Sequence, residues 1–251
     1  MTIPRRGATY TSAARNSGPA HLELRFMSNV HFPQFTSALD RHSVKVVELR
    51  TEVARIEDDE TAEDFEAAFS VTHHAQETPD AVLLLEAGIG MRVPVPLKLF
   101  YESLGGFEIL SDNRMGHVNL LGIERLLSWT GRPGIDSAWP SLMGALCTFG
   151  SRQEFGGLKA SSQEVLTKDY AVFGWAHHRY EDRTLFVFDR DGAFHNVVYE
   201  HDAGEEDWVA RYRPICQKSL TGIDLDGMLA AHVAAATRRM QKQFDEGEFL
   251  G

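Results

Sequence analysis

Val95-Pro-Leu-Lys-Leu-Phe-Tyr-Glu-Ser-Leu-Gly-Gly-Phe107 is the best-punctuated stretch of this 251-residue chain, and its reading decides what the remainder folds around. Leu97, Phe100, Tyr101 and Leu104 recur at steps of three and four, which places them on one face of a helix. Pro96 suits the first helical turn, where its missing N–H is not needed, and Gly105-Gly106 suits a C-terminal stop at positive φ. Just upstream, Ala81-Val-Leu-Leu-Leu-Glu-Ala-Gly88 predicts a second apolar helix, joined to the first through Ile89 to Pro94. Neither helix carries residues of a catalytic type.

Downstream, Phe107-Glu-Ile-Leu110 and Val118-Asn-Leu-Leu121 predict short strands, with a turn at Ser111-Asp-Asn-Arg114 between them. A helical turn from Glu124 to Trp129 ends at Gly131, Pro133 and Gly134, and Ala138 to Gly157 supports no assignment. Tyr170 to Trp175 reads as a strand. Thr184-Leu-Phe-Val-Phe188 and Ala193 to Tyr199 alternate around Asp191-Gly192, the strongest hairpin signal in the chain. Leu225, Met228, Leu229, Val233, Ala236 and Met240 share a face of a closing helix.

Upstream, Phe32, Phe35, Leu39, His42, Val46, Leu49, Val53 and Ile56 keep a helical seam, while the β-branched density of Val44 to Arg50 argues for a strand. Both assignments stand at that point. Met1 to Pro19 lacks periodicity, so residues 1–26 read as a disordered tail or an upstream extension. The expected fold is therefore α+β: a mixed, mostly antiparallel sheet from about Phe107 to Tyr199 packed against several helices, with a helical layer from about Phe32 to Gln76 before it. Residues 27–251 would form a single domain, of which 27–80 is an N-terminal extension and 81–251 the core.

Glu86-Ala-Gly-Ile-Gly-Met-Arg-Val-Pro-Val-Pro96, then Leu97-Lys-Leu-Phe-Tyr101 and Gly105-Gly106-Phe107, resemble the signature of the SUKH superfamily. There a helix ends, a Pro-containing turn follows, and a Leu/Phe/Tyr-rich helix runs into a Gly-Gly turn before a strand. The resemblance extends more loosely to the hairpin at Asp191 and covers roughly half of the chain. It implies a non-enzymatic bacterial immunity protein that binds and neutralises a cognate toxin, often a nuclease. Some relatives are scaffolds in cell-wall signalling, so a scaffold or regulatory binding protein is the alternative.

Composition narrows the function classes. At 43% hydrophobic and 24% charged, the chain is globular in type. Its net charge is −11, and because residues 1–26 carry four Arg against one Glu, the remainder carries −14. Such a field disfavours nucleic acid and membrane surfaces as partners and favours a basic protein. No apolar run reaches a membrane span and no secretory leader is legible, so a cytoplasmic location is expected. Cys147 and Cys216 are far apart and lack metal-type spacing, which favours two free thiols.

No nucleophile elbow, phosphate loop, dinucleotide fingerprint or C-x-x-C site is present, so neither catalytic residues, nor a cofactor, nor a metal is expected. His73-His74 has no H-E-x-x-H context, and the Asp189-Arg-Asp-Gly192 run lacks the later oxygen ligands of a calcium loop. Eleven histidines leave a histidine-dependent enzyme as the least favoured alternative, with His177, His178 and His195 as its residues and a polar loop expected at His177-His178. Two acidic runs could meet a basic toxin. Glu200, Asp202, Glu205, Glu206 and Asp207 with Trp208 are the first choice, since an aromatic anchor accompanies the charge. Glu57 to Glu66, with seven acids in ten residues, is the second.

Overall fold

A computed structural model describes residues 31–109, 117–129, 140–149, 158–179, 182–200 and 205–247. In chain order its elements are α1 (Pro33–Ile56), α2 (Asp59–Phe69), β1 (Val71–His73), α3 (Pro79–Ile89), α4 (Val95–Leu104), β2 (Phe107–Ile109), β3 (Val118–Leu120) and α5 (Ile123–Trp129). There follow α6 (Leu142–Phe149), α7 (Ala160–Lys168), β4 (Tyr170–Arg179), β5 (Asp182–Asp189), β6 (Phe194–Tyr199), α8 (Glu205–Cys216) and α9 (Leu225–Glu246). The expected tail (1–26), the turn at 111–114, the stop at Gly131–Gly134 and Asp202 lie outside the described residues.

The fold is α+β. Six described strands form one sheet in sequential order β1 to β6, and every pairing is antiparallel rather than mixed. The sheet also starts earlier than expected. Val71–His73, assigned from sequence to a helical layer, pairs with Phe107–Ile109 as an edge strand. Three residues carry too little alternation for the strand to be legible before its partner is known.

Register separates the two faces. Phe107, Leu120, Gly174 and Phe186 are successive partners across β2, β3, β4 and β5. Phe35 of α1 packs on Phe107 at 4.9 Å between ring centroids, and His232 of α9 packs on Phe186 at 4.6 Å, so α1 and α9 cover that face. Glu108, Asn119, Trp175 and Leu185 line the opposite face, where Phe149 of α6 meets Trp175 edge-on at 5.6 Å. α6 itself falls in the stretch that sequence left unassigned.

The Val95–Phe107 reading is borne out. Leu97, Phe100 and Tyr101 are buried, Pro96 stands in the first turn, and Gly105 ends the helix at φ 70° with its N–H donating to the Tyr101 carbonyl. Gly106 is needed for a different reason. A Cβ there would lie 2.4 Å from the Leu120 carbonyl oxygen, so only glycine lets β3 pass. The hairpin at Asp191-Gly192 also forms, with Asp189 Oδ1 accepting from the N–H groups of Asp191 and Ala193.

α1 settles the helix-or-strand question at 44–50 in favour of helix. Its seam is buried from Phe35 to Val53, but Ile56 is exposed. The first turn is capped from a distance. Phe32 offers no capping side chain, and the Asp226 carboxylate of α9 accepts from Gln34 N at 3.1 Å and Phe35 N at 2.8 Å. A smaller core lies farther along, where Val46, Leu49 and Val53 meet Ala62, Phe65, Phe69 and Met240.

Candidate functional site

The exposed corner between α1 and α2 gathers the second acidic run. Asp58 ends the inter-helix turn and caps α2, its carboxylate accepting from Thr61 N at 2.8 Å. Those hydrogen bonds hold its carboxyl below the usual carboxylate range. Asp59 and Glu60 occupy the first turn, where the positive end of the helix dipole favours them. Ala62, Phe65, Ala68 and Phe69 face inward, which turns Glu63 and Asp64 to solvent.

Ion pairing sorts these acids. Glu66 pairs with Arg50 at 2.9 Å, Glu48 with Lys45 at 3.3 Å, and Glu52 with Arg55. Among the described residues, Glu57, Asp59, Glu60, Glu63 and Asp64 have no cation in ion-pair reach. Ile56, next to Glu57 at the end of α1, is 50% exposed, and Val44 at 58% and Val47 at 56% lie about three turns or more back along the same helix.

The first-choice run is placed differently. Glu200 closes β6 and pairs with Arg211 of α8 at 2.8 Å, an interaction that lowers its carboxyl pKa. That carboxylate ties α8 to the sheet. Glu205, Glu206, Asp207 and Trp208 form the first turn of α8 rather than an extension of the strand. Glu200 and Glu205–Trp208 therefore do not belong to one element.

The histidines are also redistributed. His177 belongs to β4, which runs to Arg179 in place of the polar loop expected there, and it is 6% exposed. His195 pairs with Val187 on β5, while His177 pairs with Arg183, four residues away along the same strand or about 13 Å at strand rise. His195 instead bonds Asp189 Oδ2 at 2.8 Å and supports the hairpin. The structure does not bring these two rings together.

His177 meets His117, which sequence reasoning missed. Their rings stack at 5.4 Å with planes 12° apart. His117 Nε2 donates to Glu108 Oε1 at 2.7 Å, and Asn119 Nδ2 donates to the same oxygen at 2.7 Å. The His117 bond, with partial burial opposing it, keeps the Glu108 carboxyl below its ordinary pKa. Arg183 Nε–H donates to His177 Nε2 at 3.2 Å, so that nitrogen acts as an acceptor. Such a group can orient an imidazole, and its hydrogen-bonding positions are only partly taken up by one another across β2 to β5, since buried Asn119 Oδ1 has no hydrogen-bond partner among the described residues. A carboxylate alternating with core Phe107 and Ile109 was the one available signal of it.

Among the described residues no group of three or more His, Cys, Asp or Glu is arranged to hold a metal ion. Cys147 and Cys216 are free, and burial pushes both thiols up. No helix of the described residues is long and apolar enough to cross a membrane. No family model, curated protein or solved structure matches the chain.

Proposed function

We propose that this chain is a non-enzymatic binding protein of the immunity type, which neutralises a basic cognate toxin by covering its cationic cleft. The observation that carries the reading is the corner at Glu57–Asp64, where five exposed carboxylates lack a cation among the described residues. Like charges held side by side repel, and an approaching basic surface relieves that repulsion while gaining association rate from the field. The resemblance of Glu86–Phe107 to the SUKH signature supports the same class, and the α+β fold is compatible with it.

The test is a complex with the toxin domain encoded beside this gene. Stoichiometric inhibition of that toxin by the purified chain, together with growth rescue on co-expression, is the expected result. Absence of a complex at micromolar concentration, with the toxin fully active, would overturn the reading. The scaffold alternative predicts several partners bound through separate surfaces, which the same mixing experiment separates by stoichiometry.

A further inference from the structure

We infer that the group around Glu108 and Asn119, on the Trp175 face of the sheet, is a binding site for a guanidinium, supplied by an arginine side chain of the basic partner. This rests on the basic-partner reading above and adds a contact on different elements from the α1–α2 corner.

The site is defined first by an unmet acceptor. Asn119 is fully buried, and its Nδ2 donates to Glu108 Oε1 at 2.7 Å. That orientation is fixed, because a carboxylate only accepts and a flipped amide would set oxygen against oxygen. The other end is therefore Oδ1, an acceptor that no donor reaches. A buried polar atom left in that condition is costly, and it marks a place where something that donates belongs.

Glu108 has the complementary shortfall. It is bonded by the Asn119 amide and by His117, and among the described residues no Lys or Arg is in ion-pair reach of it. The His117 bond keeps its carboxyl below the ordinary pKa, so the charge is present. Arg125 of α5 and His74 are near enough to favour that charge, but neither is joined to the carboxylate by an ion pair. A half-buried carboxylate without a full cation is the less stable arrangement.

One chemistry meets both deficits. A water would donate to Asn119 Oδ1 and leave the carboxylate without a counter-charge. An ammonium is a compact point charge, whereas the planar guanidinium fork presents several N–H groups to neighbouring acceptors at once. The Asn119–Glu108 bond holds two such acceptors side by side. His74 offers a third. It stands opposite Gly106, on the same face of β2 as Glu108, and its Nε2 is buried without a partner. The same face already takes one guanidinium flat, since the Arg183 guanidinium carbon lies 4.3 Å over the Phe149 ring. Entry is from the rim, where the Glu108 and His117 side chains keep 17% and 15% of their exposure.

The experiment is an NMR titration of the isotope-labelled full chain with the peptide acetyl-Gly-Arg-Gly-amide. The same peptide with citrulline in place of arginine is the neutral control of similar shape. The Asn119 side-chain amide and the His117 and His74 rings should shift saturably, and the citrulline peptide should bind about tenfold more weakly. Glu108→Gln keeps an acceptor for His117 and Asn119 but removes the charge. It should weaken the arginine peptide about tenfold, with an unchanged amide spectrum elsewhere showing that the fold is kept. The Kd of the toxin complex should rise in the same variant. Equal binding of the two peptides, or shifts that bypass Asn119, overturns the site and leaves the basic-partner reading standing. A shift of the Asn119 amide on Arg125→Gln, without peptide, also overturns it by making Arg125 the occupant. Arginine-peptide binding at Asn119 with no toxin complex keeps the guanidinium site and removes the partner reading.

Discussion

Phe100 shows what one residue contributes when three elements converge on it. Its ring lies 5.2 Å from that of Phe32, 5.3 Å from Phe35 and 6.3 Å from Phe107, and it is fully buried. Phe100→Ala should cost about 3–5 kcal/mol by denaturant titration, because the rings around the cavity cannot close it. Val95→Ala, at a position 67% exposed one turn away, should be nearly neutral. Equal losses in the two variants would contradict the inward face assigned to α4. Spacing made this face legible, since Leu97, Phe100 and Tyr101 declare themselves by period alone. Lys98 was not legible in the same way. It reads as a solvated residue, yet its ammonium sits 2.6 Å from Glu86, which also accepts from Val93 N at 2.9 Å and so clamps the α3–α4 linker. A partner twelve positions away has no periodic signature.

At the scale of elements, His42 joins three helices into one layer. Its Nε2–H donates to the Phe69 carbonyl at 2.8 Å, and its Nδ1 meets the Thr237 hydroxyl at 2.9 Å, so α1, the end of α2 and α9 share one ring. Burial lowers the pKa of His42 from its model-compound value of 6.5, although the Phe69 carbonyl opposes the shift. An unfolded chain then binds a proton below pH 6.5 that the folded chain refuses. The contribution of His42 is thus fully present above that pH and is lost as pH falls below it. Wild type should show a lower urea midpoint at about pH 5.5 than at about pH 7.5, and His42→Gln should reduce that difference. An undiminished difference in the variant would assign the acid sensitivity to other groups. The helix–strand ambiguity at 44–50 has its cause in the same layer. Local propensity and hydrophobic period disagree there, and contact with α9 decides between them. The acidic run was legible as charge, whereas the separation of paired Glu66 from the uncompensated Glu57–Asp64 depends on Arg50, which only the fold brings near.

For the whole molecule, net charge is the property with the widest reach. The chain carries 36 acids against 25 bases, and among the described residues the excess is locally uncompensated at the α1–α2 corner. Moderate salt shortens the Debye length to about 8 Å near physiological strength, which weakens repulsion between neighbouring carboxylates more than it weakens close ion pairs. Thermal unfolding by calorimetry should therefore move to higher temperature between low and moderate NaCl. A fall would mean that the exposed ion pairs outweigh the repulsion.

The Asp226 cap has a consequence for the order of events during synthesis. The amides it serves belong to Gln34 and Phe35, 192 and 191 residues earlier, so while the ribosome is still adding the sheet, the first turn of α1 has no cap of its own. Until α9 emerges, the amides of Gln34 and Phe35 lack that carboxylate. The nascent chain can zip its sheet strand by strand, each beside its predecessor, but the clasp that seats α1 on the sheet closes only after translation has passed position 226.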